Sequence, residues 1–136
     1  LRLYGRMTRP LPQNTHISYC GMFSPDNIST LQGSWGLVWD GTSLKSCAGT
    51  WGEYLKIIAP HKFSLYLAAG IPVIVWNKSA MARIVDKYGI GLTISSLNEL
   101  EEKIEQITEE TYFKIIENIS SFKENIKTGK LLQEFL

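Results

Sequence analysis

One short segment of the sequence, Pro60-His61-Lys62-Phe63-Ser64, combines residue types that suit the binding of an anion. Proline fits the first turn of a helix, because the backbone N–H group that it lacks has no partner there. The free N–H groups of such a turn and the helix dipole attract an anion, and Lys62 adds a full positive charge beside them. Phosphate groups bind to this combination of convergent donors and a cation. The alternative interpretation is a solvated Lys62 and a His61 that only caps the helix.

The elements that must position this segment are two apolar strands with a helix between them. Residues 35–40 read WGLVWD and residues 72–76 read PVIVW, which is typical of parallel strands covered on both faces. We expect a long loop over residues 41–59 and a helix from Pro60 to Ala69, closed by Gly70. The same reasoning predicts strands at 1–5, 17–20 and 91–94 and helices at 24–33, 78–88, 97–107 and 108–127.

Strands that alternate with helices predict an α/β protein with a Rossmann-like, doubly wound parallel sheet of about five strands. Ligands of such sheets bind beyond the carboxyl ends of the strands. This rule selects the loop after Cys20, the loop after Asp40 and the helix start at residues 60–64.

The domain boundaries that we predict are a Rossmann-like domain over residues 1–107 and a C-terminal helix and tail over residues 108–136. Ile115, Ile119, Phe122 and Ile126 follow one another at helical spacing and form one apolar stripe. The surface against which this stripe packs is this domain's own sheet, another domain or a second copy of the chain.

Composition excludes several classes of protein. The net charge of +1 argues against a large nucleic-acid surface, and no apolar run approaches the ~20 residues of a membrane span. Residues 1–96 hold nine basic and four acidic side chains, whereas residues 97–136 hold five basic and nine acidic ones. This difference suits a small anionic ligand, or it reflects an uneven scatter of surface charges. Cys20 and Cys47 match neither a CxxC motif nor a zinc site, and the apolar run around Cys20 predicts a buried free thiol in a reducing compartment.

Several stretches of the chain resemble a known enzyme group. They are LRLYG at 1–5, ISYCG at 17–21, GLVWDG at 36–41 and PHKFSLYLAAGIPVIVW at 60–76. They resemble the C-terminal domain of bacterial GT-B glycosyltransferases, a group that includes galactofuranosyltransferases of polysaccharide synthesis and glucosyltransferases acting on serine-rich adhesins. The resemblance implies two Rossmann-like domains with the active site between them. The acceptor-binding N-terminal domain and the first strand and loop of the donor domain are not found, so we expect the chain to be inactive by itself.

The resemblance also implies a UDP-sugar as the donor substrate. We expect no separate cofactor and, because the sequence contains no DxD pair, no metal. Lys62 would neutralise the diphosphate and stabilise the leaving nucleotide. His61 and Ser64 would add hydrogen bonds to phosphate or ribose, and Gly21 would let the backbone approach the nucleotide. We assign no catalytic residue. The expected partners are the nucleotide sugar, a glycan or glycoprotein acceptor bound by the N-terminal domain, and a second copy of the chain, in the cytoplasm or at the inner face of the membrane.

The remaining expected donor contacts each have a structural alternative. Tyr19 would support the base, or is a partly buried strand residue. Asp40, with Gly41 beside it, would touch the sugar or order the loop, or only caps a turn. Tyr54 and Glu53 would close over the donor, although Glu53 suits a solvated position equally well. Two rival functions remain open, which are a non-catalytic nucleotide-sugar-binding or assembly subunit and a nucleotide-sugar isomerase of the same fold.

Overall fold

A computed structural model describes residues 1–11, 13, 16–24 and 26–129. The chain divides into two compact units, Leu1–Gly33 and Ser34–Leu136. In the first unit, β1 (Arg2–Leu3) pairs in parallel with β2 (Ser18–Tyr19). These are the two short strands that the sequence predicts in this region.

The helix predicted over residues 24–33 is wrong, because the described residues of that region form a 3-10 turn at Ile28–Thr30 and no α-helix. The side chains of Ser, Asn and Thr favour turns by bonding to nearby polar groups. Here the Ser24 hydroxyl accepts a bond from the Asp26 N–H at 3.3 Å, and the Ser29 hydroxyl donates to the Asn27 side chain at 2.9 Å. Pro25, which we expected in the first turn, lies outside the described residues.

The second unit is built on a parallel sheet of three strands in the order β3 (Gly36–Val38), β4 (Val73–Trp76) and β5 (Gly91–Ile94). Leu37 lies opposite Ile74, and Ile74 lies opposite Leu92. Every residue of β4 is buried. The continuous apolar pattern PVIVW therefore marks the central strand, covered on both faces as predicted.

The α/β fold class with parallel strands and a long C-terminal helix is confirmed. The described residues contain five strands, which pair as β1 and β2 in the first unit and as a triplet in the second. The two residues of β2 are both exposed, whereas the residues of β4 are all buried. Cys20, which directly follows β2 and was predicted to be buried, is exposed, so that prediction is wrong.

A helix, α1 (Gly49–Leu55), occupies part of the segment predicted as a long loop, which corrects that prediction. Gly49 and Gly52 suggested a loop, but Gly52 serves close packing. A Cβ atom at position 52 would lie 1.6 Å from the backbone oxygen of Cys47. Glycine therefore lets α1 lie directly on the chain that precedes it.

The helix predicted from Pro60 to Ala69 forms at that place in the chain. Pro60 is the N-cap of α2 (His61–Ala68), one position before the first turn that we expected it to occupy, and Gly70 follows with a φ of 76°. α3 (Ala82–Tyr88) begins later than predicted, because the preceding residues form turns, and it ends at Gly89 with a φ of 60°. α4 (Leu100–Glu105) follows a 3-10 turn capped by Ser96, whose hydroxyl accepts from the Asn98 N–H.

The longest helix, α5 (Glu109–Lys127), begins at Thr108, whose hydroxyl accepts a bond from the Thr111 N–H at 3.1 Å. Its apolar stripe packs on α2 and α3 of the same unit. Ile115, Ile119 and Phe122 are buried, whereas Ile126 is exposed. The apolar tail at residues 131–136 lies outside the described residues.

Polar side chains of α5 also hold the ends of the two helices beneath it. Lys123 donates to the backbone oxygen of Ala68, the last residue of α2, at 2.9 Å. Asn118 donates to the backbone oxygen of Gly89, just after α3, at 3.0 Å. α5 therefore contributes to the orientation of α2. Within the described part of the chain, we find no helix with the length and apolar character of a membrane span.

Candidate functional site

A cavity of about 530 Å³ opens beside the carboxyl end of β3 in the second unit. The loop that follows β3, the helix α1 and the start of α2 supply its walls. The lining residues are Asp40, Gly41, Thr42, Trp51, Tyr54, Pro60 and Lys62. The cavity thus lies where the doubly wound topology predicts a ligand.

An ion pair stands at the charged wall of this cavity. The Lys62 ammonium donates a hydrogen bond to Asp40 Oδ1 at 2.7 Å and a longer one to the Trp39 backbone oxygen at 3.4 Å. About one third of each charged side chain is exposed, at 34% for Lys62 and 33% for Asp40. Such partly exposed pairs contribute only about 1 kcal/mol or less to stability. The main effect of the pair is therefore to fix the position of the Lys62 ammonium, and its contribution to the stability of the fold is small.

The loop after β3 is held in place from two directions. The indole N–H of Trp39 donates to the Ser43 backbone oxygen at 3.1 Å. The Leu44 backbone oxygen accepts bonds from the Leu97 N–H at 2.8 Å and the Ser96 hydroxyl at 3.2 Å, which connects the loop to the chain after β5. These bonds give the cavity a fixed polar wall.

Gly41 is required by the backbone of this loop. Its φ of 127° lies in the region that favours glycine, and an added Cβ would lie 3.1 Å and 3.2 Å from backbone atoms of Ala48. Cys47, next to Ala48, is buried, and desolvation raises the pKa of its thiol. A thiol that stays protonated is a poor nucleophile, so Cys47 has a packing role beside the cavity.

Part of the cavity wall is aromatic. Trp51 and Tyr54 lie three residues apart on α1 and meet edge to face, with ring centroids 6.3 Å apart and an interplanar angle of 80°. Trp51 is 65% exposed and Tyr54 45% exposed. The buried residues Gly52 and Leu55 fix how α1 packs on the rest of the unit. α1 therefore turns two large rings toward solvent at the cavity.

The structure brings together four of the residues that the sequence selected, namely Lys62, Asp40, Gly41 and Tyr54. His61 and Ser64 lie on α2, are exposed, and do not line the cavity. Glu53 also lies outside the lining, and its carboxylate accepts a bond from Lys56 at 2.6 Å. The donor contacts that we expect of these seven residues, inside and outside the lining, stay predictions.

Tyr19 and Gly21 belong to the first unit. The Tyr19 hydroxyl donates to the Gly5 backbone oxygen at 2.8 Å. Gly21 has a φ of 83°, and its backbone oxygen accepts a bond from the Gly5 N–H at 2.9 Å. These contacts join the segments after β1 and β2, and the nucleotide contacts proposed for both residues are untested.

Sequence reasoning missed Trp51 and Thr42 as lining residues. The signal for Trp51 was its spacing of three from Tyr54 in the stretch TWGEYL, which is helical spacing. The glycines on either side suggested a loop and hid this pattern. Thr42 follows Gly41 directly and carries no pattern of its own.

Comparison with known proteins assigns the chain to a family. Residues 1–136 match the family described as "Glucosyltransferase 3-like, C-terminal domain". The chain belongs to this family. The resemblance noted from the sequence is thereby confirmed, and the Glucosyltransferase 3-like domain includes both units of the chain.

Named relatives of this Glucosyltransferase 3-like domain are bacterial glycosyltransferases. The chain is 39% identical to beta-1,6-galactofuranosyltransferase WbbI of Escherichia coli (strain K12) over 87% of its own length and 37% of that protein. It is 30% identical to glucosyltransferase 3 of Streptococcus parasanguinis over its whole length and 39% of that protein. It is 33% identical to glucosyltransferase 3 of Streptococcus gordonii, over 89% and 36% respectively. The chain thus spans less than two fifths of the length of each of these relatives.

Proposed function

We propose that this chain is the donor-nucleotide-binding part of a glycosyltransferase that transfers a hexose from a UDP-sugar to a glycan or glycoprotein acceptor. The single observation that supports it best is the placement of Lys62 in the first turn of α2, inside a cavity at the carboxyl end of a parallel strand. The relatives, whose names describe galactofuranosyl and glucosyl transfer, support the reaction class.

The start of α2 supplies the donors for a diphosphate. The first N–H groups of a helix have no partner within the helix, and here they belong to His61 and Lys62. Phosphate oxygens accept bonds from these groups and from the Lys62 ammonium. As the glycosidic bond breaks, negative charge develops on the leaving diphosphate, and the same fixed donors stabilise it.

Asp40 need not leave Lys62 for this binding to occur. An ammonium group has three donors, and the bonds to Asp40 and to the Trp39 backbone oxygen use two of them, so phosphate takes the third. The Asp40 carboxylate also lines the cavity beside Thr42. A carboxylate and a hydroxyl are suitable partners for the hydroxyl groups of a sugar, and we assign this part of the wall to ribose or hexose.

The complete activity belongs, in this proposal, to a longer protein. The relatives carry more than half of their length outside the matched region, and we place the acceptor site there. We therefore expect the isolated chain to bind the donor without transferring sugar. Since it carries the donor site, we place the protein in the cytoplasm, in contact with the nucleotide-sugar pool.

Isothermal titration calorimetry with UDP, ADP and GDP tests the proposal on this chain and on the longer protein. We expect UDP to bind more tightly than the two purine nucleotides, and UDP-glucose or UDP-galactose to compete with UDP. Equal affinity for the three diphosphates, or no binding by the longer protein, would contradict the donor-site assignment.

A further inference from the structure

The loop that follows β3 carries an inference that rests on the proposed function and extends it. Asp40, Gly41 and Thr42, three of the residues that line the cavity, follow one another in this loop. Asp40 also holds the Lys62 ammonium at 2.7 Å. Because a lysine side chain has many rotamers, a partner that holds the ammonium in advance reduces the entropy that is lost when phosphate binds. The position of the loop therefore affects how well Lys62 is placed for the diphosphate.

The indole of Trp39 closes this loop at its base. Its N–H group donates to the Ser43 backbone oxygen at 3.1 Å, so the bond encloses the three lining residues. The backbone oxygen of Trp39 itself accepts from the Lys62 ammonium at 3.4 Å. Trp39 is half-buried, packs against the core and does not line the cavity. A phenyl ring would serve that packing, and the indole adds the N–H group that closes the loop.

Ser96 holds the far end of the same loop from a different strand. Its hydroxyl donates to the Leu44 backbone oxygen at 3.2 Å, and the Leu97 N–H donates to the same oxygen at 2.8 Å. The hydroxyl is itself fixed, since it accepts a bond from the Asn98 N–H at 3.1 Å. Ser96 follows β5 and the loop follows β3, and these are the outer strands of the triplet. The loop is therefore attached on both sides of the sheet.

We propose that Trp39 and Ser96 are positioning residues, which hold the loop so that Asp40 keeps the Lys62 ammonium in place for the diphosphate. Neither residue lines the cavity, so both act through the loop and not through contact with the ligand. The alternative is that the two bonds only stabilise the fold. The two roles differ in the ligands that they affect. A positioning role changes the affinity for phosphate-bearing ligands and depends on Lys62, whereas a stabilising role affects every ligand alike.

Calorimetric titration of Trp39→Phe with UDP and with uridine tests the proposal, because the substitution keeps an aromatic ring and removes the N–H donor. We expect UDP affinity to fall about fivefold, the effect of one net hydrogen bond, and uridine affinity to change by less than about twofold. In a Lys62→Ala background, Trp39→Phe should change UDP affinity by less than about twofold, because the group through which it acts is gone. The matched control is Trp35→Phe, the same substitution at the start of β3, where Trp35 packs edge to face on Tyr112. It should leave both affinities unchanged.

Two substitutions of Ser96 test the second attachment without changing an aromatic side chain of the core. Ser96→Ala should lower UDP affinity and spare uridine. Ser96→Thr, which keeps the hydroxyl, should bind UDP as wild type does. Circular dichroism establishes that each variant is folded before its affinities are compared.

Equal losses for UDP and uridine in Trp39→Phe would overturn the proposal, since the indole would then act on the whole unit and not on Lys62. The same fivefold loss in the Lys62→Ala background would overturn it for the same reason. Unchanged UDP affinity in Trp39→Phe and in Ser96→Ala would also overturn it and leave the proposed donor function standing. Absence of UDP binding in wild type would refute the proposed function, and this proposal with it.

Discussion

Replacing Gly52 by alanine should displace α1, because the added methyl group has no room. Its Cβ would lie 1.6 Å from the Cys47 oxygen and 2.5 Å from the Cys47 carbonyl carbon, and both are backbone atoms. Normal separations exceed 3.0 Å, so α1 or the preceding loop must move by about 1.5 Å. That movement also lifts Leu55, which is fully buried.

The expected loss of stability can be worked out from these contacts. Overpacking costs typically about 1–3 kcal/mol, and partial exposure of Leu55 adds about 1–2 kcal/mol. Alanine returns about 1 kcal/mol through its higher helix propensity. The variant should therefore lose about 1–4 kcal/mol in free energy of unfolding and, because α1 lines the cavity, should bind UDP more weakly.

Urea unfolding followed by circular dichroism measures this loss. Thr50→Ala is the matched control, since Thr50 is exposed on the same helix and its replacement should change stability by about 0.5 kcal/mol or less. If Gly52→Ala is as stable as Thr50→Ala, α1 does not lie against Cys47, and the orientation of the aromatic wall derived from that contact is wrong.

Two further predictions concern the framework around the site. Lys123→Met should lower the free energy of unfolding by about 1 kcal/mol, because it removes a hydrogen-bond donor and a positive charge at the end of α2. The control is Lys114→Met, which replaces an exposed lysine of the same helix. Urea unfolding should show a larger loss of stability for Lys123→Met than for this control. Hydrogen bonds from Ser95 hold the pKa of the Glu99 carboxyl below its ordinary value. Glu99 therefore stabilises the fold above about pH 4.3, and this contribution is lost as the pH falls through the lower pKa of the folded state. Glu99→Gln should thus be less stable than wild type at pH 7 in urea unfolding curves, and the difference should shrink as the pH falls below about 4.3. A difference that stays unchanged down to the lowest pH at which both proteins fold would contradict the assignment.

The parts of the fold that sequence reasoning predicted are those in which local pattern and tertiary packing agree. PVIVW at β4 and the capped helix α5 are examples, since a buried strand and an amphipathic helix leave strong periodic signals. The helix α1 was missed because Gly52 serves a contact with Cys47, which lies five residues earlier and is visible only in three dimensions. The polar segment before Ile28 was read as a helix start, although its side chains bond within a turn.

The candidate site shows the same division. Lys62 was selected from its position at a helix start, and Asp40 from its position after a strand, because topology places both at one edge of the sheet. Their direct pairing at 2.7 Å depends on side-chain geometry that the sequence does not contain. The contribution of Trp51 depends on the missed helix, so it could not be deduced before α1 was known.

The central claim is that Lys62 and the start of α2 bind the diphosphate of a nucleotide-sugar donor. Calorimetric titration of Lys62→Ala and wild type with UDP and with uridine tests it most directly. The account predicts that the variant loses about 1–3 kcal/mol of binding free energy for UDP, the scale of a charge-assisted hydrogen bond, and keeps its affinity for uridine within about twofold. An equal loss for both ligands, or an unchanged affinity for UDP, would contradict the claim.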